Sequence, residues 1–130
     1  MAALTAGARA AESLAARREE LARATTDALY AEVPALLEKY GERGRAKCLQ
    51  DMRHNFDHLA PAVAFEDPAL FAGYVRRGDP PATARRIPAS EIRRTLELME
   101  QQARLRLPAD EASIVAGCLR AGTAALRATS

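Results

Sequence analysis

Lys47-Cys48-Leu49-Gln50-Asp51-Met52-Arg53 opens a stretch, running to about Phe65, on which the reading of this chain turns. Taken as a helix, Leu49, Met52, Phe56, Leu59 and Val63 step by three, four, three and four residues and form a single apolar stripe. A second track at the same spacing runs beside it through Cys48, Asp51, Asn55, His58 and Ala62. It sets a thiol, a carboxylate, an amide and an imidazole along the border of the buried face. Such a border is where a pocket opens between one helix and its neighbour.

The surrounding chain sets the frame for that helix. Its 130 residues fit one compact domain, 1–130, long enough to bury a core without staples. Alanine, leucine and arginine dominate, while glycine, proline and β-branched residues are sparse between punctuation points, so the expected class is all-α. A net charge of +2, spread evenly, speaks against a nucleic-acid partner. The basic pairs Arg85-Arg86 and Arg93-Arg94 are explained by a solvated helix face. Two cysteines, Cys48 and Cys118, make no disulfide framework at this length. No apolar run approaches the roughly 18 residues of a membrane span, and no secretory leader is visible. These features lead to the expectation of a soluble cytoplasmic protein with reduced thiols.

Helix boundaries follow from local chemistry. Ala2 to about Ala24 is nearly pure helix former, with Leu14 and Leu21 a heptad apart, and Thr25-Thr26-Asp27 reads as a corner that caps a following helix. Leu29, Tyr30, Val33, Leu36 and Leu37 supply a second apolar face, which Pro34 bends or interrupts. Gly41 and Gly44 mark a loop before the central helix. Asp67-Pro68 is a strong helix start, and that short helix carries Leu70, Phe71, Tyr74 and Val75 and stops near Gly78. Asp79-Pro80-Pro81 starts at most one further turn. Ile87-Pro88-Ala89-Ser90 opens a long helix, and Leu107-Pro108-Ala109-Asp110 ends it and begins the last, whose inner face includes Cys118. Short connections between helices of unequal length suit a globin-like stack better than an up-and-down bundle.

Cys48-Leu49-Gln50-Asp51-Met52 resembles the Cys-Leu-Arg-Asp-Met signature of phycobiliproteins, the globin-like bilin carriers of cyanobacterial antennae. Further matches follow in order. Tyr30-Ala31-Glu32-Val33-Pro34 is similar to the segment before that family's central helix. Ala62-Val63 and Asp67 through Tyr74 are similar to the end of that helix and the start of the next, and Ile87-Pro88-Ala89-Ser90 with Met99 to its penultimate helix. The likeness spans most of the chain from about Thr5.

The resemblance implies a globin-like, phycobiliprotein-like domain and a linear tetrapyrrole ligand, biliverdin or a phycobilin. It implies a thioether or contact at Cys48, and Asp51 as acceptor for the inner pyrrole N–H groups. Gln50 replaces the family's usual arginine, so Arg53, Arg45 or Lys47 would have to serve as propionate partner. Asn55 and His58 become secondary polar contacts, and Tyr74 and Phe71 the opposite wall, or else ordinary core. The chain begins at what would be the family's first globin helix, which implies a domain lacking the extra N-terminal helical pair of antenna proteins. It looks most like the bilin biosynthesis-associated globins, non-catalytic relatives that accompany bilin-making enzymes. Association of that family through its first helices implies a homodimer burying Leu4, Leu14 and Leu21.

Other readings stay open at this stage. A ligand-free globin-like interaction or sensor module is the first. A haem-binding globin is the second, with His58 as axial ligand. His54 and His58, four apart, could also face one metal ion. Nucleophilic catalysis is excluded for Cys48 with His58, because ten helical residues separate them by about 15 Å.

Overall fold

In the computed structural model, which describes residues 4–129, the chain forms seven helices and no strand among those residues. They are α1 (Ala6–Ala16), α2 (Arg18–Glu32), α3 (Ala35–Ala64), α4 (Pro68–Arg76), α5 (Pro81–Ala84), α6 (Ala89–Arg106) and α7 (Ala109–Thr129). The all-α class expected from composition is therefore present. No helix among the described residues is long and apolar enough to cross a membrane.

Helix starts marked by proline and aspartate fall where the sequence puts them. Asp67 accepts the Ala69 N–H at 3.1 Å, and Pro68 takes the first helical position of α4, where a missing N–H costs nothing. Pro34 ends α2 at Glu32. Three helix ends close with the same pair of bonds. Asp67 N–H donates to Ala62 and Glu66 N–H to Val63, Asp79 to Tyr74 and Gly78 to Val75, Ile87 to Ala82 and Arg86 to Thr83. The residue at each turning point is left-handed: Glu66, Gly78 and Arg86, with φ of 49°, 76° and 61°.

Three local expectations fail. The N-terminal helix breaks at Arg17 rather than continuing to Ala24, without a glycine or proline to mark it. Thr25-Thr26 is not a corner. Both threonines lie buried inside α2, their hydroxyls donating back to the carbonyls of Leu21 and Ala22, which satisfies them without a break. No loop forms at Gly41 and Gly44 either. One residue, Gly41 at φ 67° and ψ −171°, kinks α3, and the helix resumes at once. Only glycine takes that conformation cheaply.

The core lies between α3 and α7. Helix α7 packs on α1, α3, α4 and α6, and α3 also touches α1, α2 and α4. Met52, Phe56, Leu59 and Val63, four of the five stripe residues, are at most 2 % exposed, and burying each contributes about 1.5–3 kcal/mol. Leu49 is only half-buried. Leu14 and Leu21 belong to this same core. They are therefore not available to the predicted dimer face, of which only Leu4 is exposed. The core spends them within one chain.

Packing of α4 on α7 depends on a missing side chain. A Cβ at Gly122 would lie 2.7 Å from two ring carbons of the fully buried Phe71 and 3.1 Å from Val75. Gly122→Ala is expected to destabilise the fold by about 1–3 kcal/mol. Gly117→Ala, where nothing stands within 4 Å, should stabilise it by about 0.5–1 kcal/mol. Urea unfolding of the two variants checks the pair, and a shared sign would contradict this account of the interface.

Candidate functional site

A cavity of about 550 Å³ lies between the end of α2, the kinked first half of α3, the α5 segment and the start of α6. Its walls are mostly apolar, formed by Leu29, Leu36, Met52, Ile87, Ile92 and Leu96. Gly44, one turn beyond the kink at Gly41, has no Cβ to collide with Tyr40, so the Tyr40 side chain lies against α3 at the cavity edge. Val33, Leu37 and Tyr40 remain 38–46 % exposed around this corner.

Cys48, Asp51 and Asn55 all open onto this one space, as the border track of α3 requires. The Cys48 thiol is half-buried, and its pKa is pushed up to about 11 by burial and then by the Asp51 charge. The Thr26 hydroxyl and the charges of Arg85 and Arg45 pull the other way and lose. At neutral pH the group is a thiol, not a nucleophilic thiolate. Asp51 is buried, and its carboxylate is held by Arg85, which reaches over from the end of α5. Asn55 accepts the Tyr74 hydroxyl at 2.8 Å through Oδ1 and keeps its NH2 as a donor.

Four predicted site residues stand elsewhere. Arg53 forks onto Glu19 with two bonds of 2.7 Å and staples α3 to α2 on the outer surface. Arg45 pairs with Asp27 and lies 5.0 Å from the Tyr30 ring centroid, beside a smaller surface groove of about 230 Å³. His58 is exposed and stacks on Tyr74, centroids 4.5 Å apart and planes 14° apart. Tyr74 is core, its ring packed on Phe71 and its phenol pKa raised by burial. Neither aromatic ring forms the opposite wall. No histidine lines the cavity, so a haem seated there would not meet His58. His54 and His58 have ring centroids 4.5 Å apart, but no group of three metal-binding side chains occurs among the described residues.

Several lining residues escape a sequence reading. Arg85 looked like half of a solvated basic pair, and nothing local announces its bond to a carboxylate 34 residues away. Arg94, also read as solvated, is clamped by Glu32 and Glu97 beside the cavity. Lys47, by contrast, is one of the propionate candidates of the sequence, and it does line the cavity, its ammonium donating to Gln50 at 3.4 Å.

The state of Cys48 gives a direct check. Its rate of alkylation by iodoacetamide, followed by mass spectrometry with Cys48→Ala as control, should still be rising at pH 10. At pH 7.5 it should fall below that of a free thiol by at least about tenfold. A plateau near pH 8.5–9 would contradict the raised pKa. Compared with protein-family models, curated proteins and solved structures, the chain gives no match, so its function has to be argued from the chemistry of this cavity.

Proposed function

We propose that this chain is a non-catalytic, globin-like protein of phycobiliprotein type that holds a linear tetrapyrrole in the α2–α3–α5–α6 cavity. It would serve bilin-making enzymes as carrier or regulator, in the cytoplasm, rather than harvest light. The observation that carries the reading is that Cys48 and Asp51 of the resembling motif, one helical turn apart, face one apolar-walled space of about 550 Å³. That volume is within the range of pockets that bury extended organic ligands. The donor set is suited to the class as well. Asp51 is an acceptor for pyrrole N–H groups, Asn55 adds a donor, and Lys47 stands at the wall with no carboxylate partner among the described residues, so it can serve a propionate.

Burial raises the Cys48 pKa and so disfavours unassisted thioether formation, which supports a bilin held by non-covalent contacts. Cys48 then acts as a contact and not as an attachment point. A homodimer, if formed, needs a face other than the one built on Leu14 and Leu21. A second reading, a ligand-free interaction module, is favoured by one observation: Arg85 already pairs with Asp51, so the buried carboxylate needs no guest to balance it.

Co-expression with a haem oxygenase, alone and with a bilin reductase, separates the readings. The carrier is expected to purify coloured, with no zinc-fluorescent band on a denaturing gel, and Cys48→Ala should stay coloured. Asp51→Asn should weaken biliverdin binding by roughly tenfold to a hundredfold, the worth of a charge-assisted hydrogen bond. A protein colourless under every bilin supply overturns the proposal in favour of the ligand-free module.

A further inference from the structure

Pro80, Ala82, Arg85 and Ile87 all line the cavity from one side, and they belong to a single short segment between α4 and α6. The segment is a strap. At one end it leaves Gly78 and at the other it passes Arg86, both left-handed, and its only helix is the four-residue α5. Arg86 is not a glycine, so its backbone conformation is strained and persists only while the surroundings hold it. The strap buries Pro80 and rests Ala82 and Ile87 on the core, and its polar link to α3 is the ion pair of Arg85 with Asp51. The two partners differ sharply in exposure, with the Asp51 side chain at 10 % and that of Arg85 at 40 %. Arg85 can therefore swing into water, whereas Asp51 cannot leave. An abandoned Asp51 would be an uncompensated buried charge, so it needs a replacement donor.

We infer that the 79–87 strap is a lid latched shut by Arg85 on Asp51, and that uptake of a ligand requires Arg85 to give up this carboxylate to the ligand's own N–H groups. This rests on the bilin reading for the identity of the occupant, but the latch itself does not. A purely apolar guest offers Asp51 nothing in exchange. The latch thereby selects for guests with clustered N–H donors, and it makes opening of the strap, not collision, the slow event at high ligand concentration.

Two measurements on the whole chain test this. The first is amide hydrogen exchange on the ligand-free protein, at the Thr83, Arg86 and Ile87 N–H groups that close the strap's own turns on Pro80, Thr83 and Ala82. Arg85→Gln and Asp51→Asn should each speed exchange there by about tenfold, the double variant no further, while Leu59 and Leu119 in the core stay unchanged. The second is stopped-flow uptake of biliverdin. The observed rate should level off with concentration in the wild type and rise linearly in Arg85→Gln. Unchanged strap exchange in both single variants overturns the latch, and so does a plateau that persists in Arg85→Gln. If no form of the protein binds biliverdin, the bilin reading fails, and the exchange comparison still decides the latch.

Discussion

Asp51 is a carboxylate that this fold cannot avoid burying. Met52 and Phe56 must face the core, and the helical period then fixes Asp51 and Asn55 within a third of a turn of that face. A rotation of α3 that freed the carboxylate would expose the apolar stripe, at several times the cost of an ion pair. So the acid stays, and a cation has to come to it. Arg85 does so across 34 residues of sequence, and its bond ties the 79–87 strap over the cavity, beside the packing of Ala82 and Ile87 on the core.

The extent of the cavity along α3 follows from the next helix. Tyr74 of α4 donates its hydroxyl to Asn55, and its ring lies flat against His58. The polar track of Cys48, Asp51, Asn55 and His58 is therefore divided. Its first three members look into the cavity, and the last is capped by an aromatic ring that is itself core. A fully buried phenol needs an acceptor, and Asn55 provides it where the cavity ends. The imidazole beyond it is on the surface and contributes stacking, not ligand chemistry.

What could be read from the chain divides along the same line between near and far. Asp67-Pro68, Asp79-Pro80-Pro81 and Pro88 act on the residues beside them, so the starts of α4, α5 and α6 were legible. The α3 stripe was legible because its period is local. Thr25-Thr26 misled because a threonine hydroxyl can bond either to a following N–H, as a cap, or to a preceding carbonyl inside a helix, and burial decided for the second. Arg53 and Arg45 were placed in the site by proximity in sequence. Glu19 and Asp27 on α2, invisible to a reading of α3 alone, draw them to the outer surface. Arg85 was missed for the converse reason, as its partner is distant along the chain and close only in the folded molecule.

The same carboxylate also bears on what Cys48 can do. Burial is the larger cause of the thiol's high pKa, and the Asp51 charge is the next. An occupant that donates N–H groups to Asp51 would offset that second cause, but it would also cover the half-buried Cys48 further and deepen the first. Arg85, whose charge now favours the thiolate, would move away in the exchange. Two of these three changes keep the proton on sulfur. A cavity built this way grips a guest through its buried acid and leaves the thiol as a neutral neighbour, unless an outside catalyst supplies the base that the cavity itself does not hold.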